Sequence, residues 1–297
     1  MIDRMPKPRR VASRRSFLRW TAYGAVGTMG AALAASAYAR FIEPWWIDYS
    51  HVSIPVRGLA AALDGLRIAH LTDLHCGSVS LEEVEDWVDK ANRLGADLMA
   101  LTGDYVTGGV AAPVADLAAL LGQLKAPLGV VACLGNHDYG AAYPQTVTDH
   151  VATGRRMRAA LEQRGIEVLV NSFTKRERGG AALHLAGTGD LWSDEFDIDF
   201  LAEVPARPLV VLAHNPDTLY SLHYPNFELM LSGHTHGGQV RLPFFGPPRL
   251  PIRHRHLAEG HYRHRHAHIY VSRGLGYLTP LRFRARPELG LVELRAA

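Results

Sequence analysis

The sequence predicts an α/β protein, and three observations support this fold class. Short apolar runs alternate with amphipathic segments in the first half of the chain, and closely spaced apolar runs follow Gly165. The 297 residues are 47% hydrophobic and 21% charged, which indicates a globular chain with a sizeable core and excludes disordered, collagen-like and coiled-coil classes. The length would allow two domains, but no shift in composition divides the chain after its N-terminal segment.

The predicted elements follow from the length and periodicity of these runs. Strands are predicted at 66–71, 98–101 and 130–134, and helices at 81–94, 114–124 and 155–164. Further strands are predicted at 167–170, 182–186, 209–212, 228–231, 269–272 and 291–294. An irregular stretch that precedes them, residues 40–64, is interpreted as a linker and an edge strand, so that 65–297 forms the main domain.

Residues 1–39 have the composition of a leader. Seven of the first 19 residues are Arg or Lys, an uncharged run follows at 20–39, and Ala-x-Ala patterns end at Ala37 and Ala39. The segment 13–19, which contains Arg14 and Arg15, resembles the twin-arginine export motif, with Arg19 in place of the usual Lys. The run also has about the 20 residues that a membrane span needs. We therefore expect a twin-arginine signal peptide or a membrane anchor, with cleavage or retention left open.

This leader determines the expected partners and location. The twin-arginine translocase would export the chain folded, to the periplasm or to the outer face of the cytoplasmic membrane, where Trp45 and Trp46 would approach the membrane surface. The basic excess lies in the leader, so the remaining chain gives no reason to expect nucleic acid as a specific partner. Two cysteines, Cys76 and Cys133, cannot form a disulfide scaffold.

Polar residues follow the ends of five predicted strands. Loops at the carboxyl ends of strands carry the sites of open α/β sheets. A single His in such a place is more often structural, but five polar segments, each beside small residues, are hard to explain as accidents. The residues are Asp73 and His75, Asp104, Asn136 with His137 and Asp138, His214, and His234 with His236.

Residue type and spacing predict a metal centre. In Asp73-Leu74-His75 and His234-Thr235-His236, residues two apart are expected to project to the same side of an extended chain. Imidazoles with carboxylates suit Mn, Zn or Fe, and seven such groups exceed the needs of one tetrahedral ion. Two divalent metal ions are therefore predicted, with Asp104 able to bridge them during an in-line displacement at phosphorus.

The ordered segments between residues 66 and 236 resemble the calcineurin-like metallophosphoesterase superfamily. The resemblance implies a four-layer αββα sandwich of two mixed sheets flanked by helices. It also implies that Asp73, His75 and His236 hold the first metal, that Asp104 bridges, and that Asn136, His214 and His234 hold the second. His137, oriented by Asp138, would face the scissile phosphate and protonate the leaving oxygen.

The expected activity is hydrolysis of a phosphoric ester by a metal-bridging hydroxide. An envelope or lipid-linked phosphodiester or pyrophosphate is favoured, because no Arg follows Asp104 up to Gly109, where protein phosphatases of the superfamily carry one, and the open Gly108-Gly109 turn leaves room on both sides of phosphorus. Thr107 occupies the position at which purple acid phosphatases need Tyr. Two alternatives are a non-catalytic envelope-binding protein and a UDP-diacylglucosamine pyrophosphate hydrolase, although export disfavours a UDP-linked substrate.

Two further segments have open interpretations. Residues 253–268 interleave His with Arg and predict a basic hairpin, either a solvated surface or a docking face for an anion. Phe244 and Phe245 either cap the site with apolar surface or pack as a turn.

Overall fold

Two six-stranded mixed sheets form the centre of the computed structural model, which describes residues 14–108, 113–140, 149–204, 207–221 and 227–297. The first sheet has the order β1-β12-β2-β3-β4-β5, and the second has the order β10-β11-β9-β8-β7-β6. The strands of the first sheet are β1 Asp48–Val56, β2 Leu66–Leu71, β3 Leu98–Thr102, β4 Val130–Cys133, β5 Glu167–Val168 and β12 Glu288–Ala296. Those of the second are β6 Ser172–Arg178, β7 Ala181–Gly187, β8 Leu209–Leu212, β9 Leu229–Ser232, β10 Gly260–His264 and β11 Ala267–Val271.

The strands at the centre of both sheets run parallel. In the first sheet β2, β3, β4 and β5 are parallel, and in the second β7, β8, β9 and β11 are parallel. Strands β3, β8 and β9 are buried along their whole length, which explains their continuous apolar sequences. The carboxyl ends of the parallel strands bring five loops to one edge of the domain.

Helices and short turns cover the outer faces of the sheets. Helices α2 Leu81–Asn92, α3 Val114–Leu121 and α4 His150–Glu162 pack on the first sheet through buried residues such as Trp87, Leu117 and Leu161. The second sheet is covered by α5 Thr218–Ser221 and by 3₁₀ turns around Phe200 and Leu257. Besides the apolar clusters beneath these helices and turns, a further cluster of buried apolar residues fills the space between the two sheets. The predicted four-layer α/β sandwich is therefore confirmed.

Local sequence accounts for the helix starts. Ser80 and Glu83 form a capping box at the N-terminus of α2, with the Ser80 hydroxyl accepting from the Glu83 N–H at 3.2 Å. Asp149 caps α4 by accepting from the Ala152 N–H at 2.8 Å. Helix α4 therefore begins at His150, five residues before the predicted start at Arg155. The sequence did not indicate this first turn, because it lacks apolar periodicity.

Two parts of the second sheet bear on the predictions. Strand β6 was not predicted, because its sequence is mostly polar and charged and its side chains alternate between exposed and partly buried at the edge of the sheet. Strands β10 and β11 pair antiparallel, so the basic hairpin predicted in the His/Arg-rich segment is present at 260–271.

The N-terminal segment forms a single helix, α1 Arg14–Phe41. Ser13 of the twin-arginine segment and the basic residues before it lie outside the described residues, as does Gly109. Helix α1 is long and apolar enough to cross a membrane, by length and composition alone. After it, β1 forms an edge of the first sheet by pairing in parallel with β12.

Candidate metal centre

The candidate site lies at the edge where the carboxyl ends of both sheets meet. Asp73, Asp104 and Asn136 follow strands β2, β3 and β4 of the first sheet. His214 and His234 follow strands β8 and β9 of the second. The structure thus brings together the five polar segments that the sequence singled out.

Backbone conformation directs these side chains inward. Five of the seven predicted ligands have a positive φ between 50° and 70°: Asp73, His75, Asp104, His234 and His236. Non-glycine residues adopt this left-handed region only at a cost, and such strain concentrates at functional sites. The expectation that the Asp-x-His and His-x-His segments are extended was therefore wrong, and turns bring their side chains together.

Two glycines permit the close approach of the loops. A Cβ on Gly135 would lie 2.3 Å from Asp104 Oδ1, and one on Gly233 would lie 2.2 Å from Asp73 Oδ2. Real side chains do not tolerate such contacts, so both positions require Gly. With Gly233 in place, the His234 N–H donates to both Asp73 carboxylate oxygens at 3.0 Å and joins the two sheets.

A first group of possible metal ligands consists of Asp73, His75 and His236. Asp73 Oδ1 lies 3.3 Å from His236 Nε2 and 4.0 Å from His75 Nε2. The two Nε2 atoms are 3.0 Å apart. Three buried donor atoms therefore converge on one point.

A second group consists of Asp104, His214 and His234. His214 Nε2 lies 3.1 Å from Asp104 Oδ2 and 3.2 Å from His234 Nδ1. The opposite nitrogens face backbone carbonyls: His214 Nδ1 lies 2.6 Å from the Thr102 oxygen, and His234 Nε2 lies 3.1 Å from the Pro251 oxygen. In the neutral rings these carbonyls accept the N–H and leave His214 Nε2 and His234 Nδ1 as lone-pair donors, an arrangement typical of metal-binding histidines.

Asp104 connects the two groups. Its Oδ2 also lies 3.6 Å from His75 Nε2, and a third group combines Asp104 with His75 and His137. The buried Asn136 Oδ1 has no hydrogen-bond partner among the described residues. A buried amide oxygen without a partner is costly unless a ligand satisfies it, so Asn136 fits a cation site.

Burial and mutual charge determine the protonation of the site. Burial lowers the pKa of His75 and of His234 to about 3, and lowers that of His236, so these rings are neutral. Burial opposes ionisation of Asp104, but His214 and His137 outweigh it and hold its pKa well below the usual range. A charged Asp104 beside the neutral rings of His75, His234 and His236 is the form that binds a metal cation. Burial opposes protonation of His214, but Asp104 outweighs it and raises the pKa of His214 well above its usual value, so a metal ion would have to displace the His214 proton.

The structure gives Asp138 a different role from the predicted one. Its buried carboxylate accepts from the N–H groups of Asp104, Tyr105 and Gly135 at 2.8 to 2.9 Å. His137 instead places Nδ1 against the Thr107 carbonyl oxygen. Asp138 therefore ties the loops after β3 and β4 together, and the expectation that it orients the His137 ring was wrong.

Two residues beside the site were not expected from the sequence. Arg282 is fully buried, and its guanidinium donates to the carbonyls of Gly274 and Gly276, in the loop that packs against Asp73. Trp192, half exposed, places its ring 4.6 Å from that of His234 in an edge contact. Neither lies in a motif, and Arg is so seldom buried that no sequence signal indicated Arg282.

Comparison with known proteins identifies the family. The model of the calcineurin-like phosphoesterase family matches residues 66–238. The chain belongs to this family. It is 33% identical to the phosphodiesterase YaeI of Escherichia coli over 95% of this chain and 99% of that protein. It is also 33% identical to the uncharacterized metallophosphoesterase YkuE of Bacillus subtilis, over 96% of this chain and 98% of that protein.

A more distant relative has a named substrate. The UDP-2,3-diacylglucosamine pyrophosphatase LpxG of Chlamydia trachomatis is 27% identical over 86% of this chain and 91% of that protein. The family and these relatives establish the chain as a hydrolase of the metallophosphoesterase type, which confirms the predicted enzyme class.

Proposed function

We propose that the chain is a binuclear metal-dependent phosphodiesterase whose site is formed by the seven predicted ligands. The observation that carries this proposal is that Asp104 belongs to two of the buried donor groups, one completed by His75 and His137 and the other by His214 and His234. Asp73, His75 and His236 would hold one ion, and Asn136, His214 and His234 the other. When bound, two Mn, Zn or Fe ions supply Lewis-acid activation of water and of the phosphoryl oxygens.

The protein residues around the ions would control position and protonation. Thr102 and Pro251 accept the ring protons of His214 and His234 and so direct the remaining nitrogens inward. The Asp104 Oδ1 atom accepts from the His137 N–H at 2.9 Å, which fixes the backbone of that residue next to the site. Electrostatic preorganisation of this kind lowers the barrier because the groups need not reorient during the reaction.

His137 would be the proton donor to the leaving oxygen. Its ring centroid lies 4.7 Å from that of His75, and Nδ1 faces the Thr107 carbonyl oxygen. That carbonyl accepts the Nδ1 proton in both the neutral and the charged ring, so Nε2 is the atom that gains or loses a proton. A proton delivered from Nε2 would neutralise the alkoxide as the ester bond breaks.

Three observations support a phosphodiester or pyrophosphate substrate that is bound to lipid or to the cell envelope. No Arg follows Asp104 up to Gly108, so the loop offers no bidentate partner for a dianionic terminal phosphate. Trp192 adds an exposed aromatic surface at the edge of the donor groups. Relatives include a phosphodiesterase and a pyrophosphatase of a lipid-linked nucleotide sugar.

The leader supports a location outside the cytoplasm. We propose export by the twin-arginine translocase, read through Arg14 and Arg15, to the periplasm or the outer face of the cytoplasmic membrane. A chain exported folded would acquire its metals in the cytoplasm. A cytoplasmic UDP-linked lipid is then a less suitable substrate than an envelope phosphodiester.

One experiment tests the proposed function. The purified chain is stripped with a chelator, reloaded with Mn, Zn or Fe, and assayed on matched aryl phosphodiesters and phosphomonoesters. We expect activity only after reloading and a higher kcat/KM for the diester. Full activity without metal would refute the metal mechanism, a clear preference for the monoester would refute the substrate class, and metal binding without turnover would favour the envelope-binding alternative.

A further inference from the structure

Helix α1 exposes apolar side chains along its length. Leu18, Trp20, Val26, Met29 and Leu33 are each at least 59% exposed. A helix that is apolar on all sides is stable only in apolar surroundings. Its 28 residues extend about 42 Å at 1.5 Å per residue, enough to cross a hydrocarbon core of about 30 Å. The surroundings that fit these dimensions are a lipid bilayer.

The C-terminal end of α1 is part of the folded domain. The Ala39 carbonyl accepts from the Arg282 N–H at 2.9 Å, and Ala39 is only 5% exposed. Four residues later, the buried Glu43 carboxylate accepts from the Ala285 N–H at 2.6 Å. Both Ala-x-Ala patterns, ending at Ala37 and Ala39, therefore lie in helix next to the domain surface. Proteolysis requires an accessible backbone that can open locally, so a chain exported folded would keep this helix.

Exposed apolar side chains surround the point where α1 leaves the domain. We call this surface the aromatic face. Each of its members is at least 38% exposed, and Phe244 is completely exposed. The members are Ile42, Trp45, Trp46, Leu242, Phe244, Phe245, Leu278 and Leu281.

One segment, residues 277–286, connects the parts of the aromatic face. Its Phe283 ring lies 6.5 Å from the Tyr38 ring of α1, and its Phe283 carbonyl accepts from the Arg241 N–H at 2.9 Å. Phe244 follows Arg241 by three residues, so their Cα atoms are within about 11 Å. On the other side, the Arg286 guanidinium lies 4.8 Å from the centre of the Trp46 ring. The aromatic loop at 242–246 and the base of α1 are therefore neighbours.

The charges near this face suit the headgroup layer of a membrane. Arg40, in the last turn of α1, and Arg284 are exposed there. Trp residues with nearby Arg are typical of the boundary between hydrocarbon and water, where the cations meet lipid phosphates. A protein partner of fixed shape would not by itself explain why these groups gather at the base of a membrane-length helix.

We propose that α1 is retained as a membrane anchor and that the aromatic face rests in the lipid headgroup layer. The proposal rests on the proposed function, whose substrate class it narrows to esters still embedded in a bilayer. The loop that carries Phe244 and Phe245 begins directly after the 3₁₀ turn His236–Gly238. One short loop therefore separates a candidate metal ligand from the membrane surface, and a lipid phosphate can approach the site without leaving the bilayer.

A depth measurement on the full-length chain tests this placement independently of catalysis. The variant Phe245→Cys is labelled with an environment-sensitive fluorophore and reconstituted in phosphatidylglycerol nanodiscs with or without brominated acyl chains. The native Cys76 and Cys133 are buried and do not compete for the label. The matched control is Arg57→Cys, at the opposite end of β1 from the aromatic face. Asp48, the first residue of β1, lies next to Arg286, whereas Arg57 follows the last residue of this nine-residue strand and so lies about 30 Å away from Asp48.

We expect brominated lipids to reduce the emission at position 245 at least twofold and to leave position 57 unchanged. The same quenching at both positions, or none at 245, would overturn the proposal. Quenching that instead rises with protein concentration in detergent would assign the face to a second copy of the chain. A membrane-derived product whose intact mass lacks residues up to Ala37 or Ala39 would overturn retention of α1.

An activity measurement separates docking from chemistry. The double variant Phe244→Ser, Phe245→Ser should lose at least tenfold in turnover of a lipid phosphodiester in vesicles, while turnover of a soluble aryl diester stays within twofold. The control Phe173→Ser, on β6, should change neither rate. Equal loss on both substrates would overturn the docking role. If the wild-type chain were inactive on both substrates, the proposed function would be refuted. The depth measurement would still decide whether the aromatic face lies in the lipid headgroup layer.

Discussion

Replacement of Asp104 by Asn removes one charge from the centre of the site and changes little else. The amide oxygen of the new side chain can still accept from the His137 N–H, as Asp104 Oδ1 does at 2.9 Å. Asp104 Oδ2 lies 3.1 Å from His214 Nε2 and 3.6 Å from His75 Nε2, so a cation held by either nitrogen would be within about 4 Å of the lost charge. At an effective dielectric constant of about 20, one such interaction is worth about 4 kcal/mol.

This energy corresponds to a loss of about 10³-fold or more in kcat/KM, because 1.4 kcal/mol is a factor of about ten. The assay is hydrolysis of an aryl phosphodiester after metal reloading, with metal content and thermal unfolding measured on the same sample. The control is Asp86→Asn, an exposed carboxylate on α2, which should keep full activity. Wild-type turnover by Asp104→Asn at equal metal concentration would refute the assignment of Asp104 as the shared ligand.

Three further predictions concern other parts of the chain. For His137→Ala we expect metal content to remain and kcat to fall by roughly 10²–10⁴, the scale of acid–base assistance, and a loss of metal instead would make His137 a ligand. Replacement of Arg14 and Arg15 by Lys should leave folded protein in the cytoplasm, as measured by cell fractionation, and normal export would contradict the twin-arginine assignment. Burial opposes ionisation of Glu288, but Arg273 and hydrogen bonds outweigh it and lower its pKa. The ionised Glu288 therefore contributes its full stability above about pH 4.3, the pKa of Glu in the unfolded chain. This contribution is lost as the pH falls through the lower pKa of Glu288 in the folded chain. Replacing Glu288 by Gln should cost roughly 2 kcal/mol at pH 7 in denaturant unfolding, and the difference should shrink below about pH 4; a constant difference would contradict this.

The sequence predicted the parts of the fold that depend on burial. The central strands are buried on both faces and therefore appear as continuous apolar runs, which the sequence displays directly. Edge strand β6 is mostly polar and charged, with exposed and partly buried side chains in alternation, so neither its apolar content nor its ends distinguish it from a loop. The start of α4 was missed because Asp149 supplies a cap but the next residues carry no apolar stripe.

Residue types predicted the membership of the candidate site better than its geometry. Asp73 and His75 converge as expected, but through positive φ angles that a pattern of residues does not reveal. Asp138 follows His137 in sequence, which suggested a pair, yet its carboxylate turns to backbone N–H groups. Arg282 lies 46 residues from His236 and is placed beside it only by the tertiary fold.

Metal stoichiometry tests the central proposal most directly. The chain is stripped, titrated with Mn²⁺ and analysed for bound metal by mass spectrometry of the intact folded protein, alongside phosphodiesterase activity. We expect two ions per chain at saturation, with activity following the second, and one ion in the variant His236→Ala. Full activity at a saturating stoichiometry of one ion per chain would contradict the shared two-metal site.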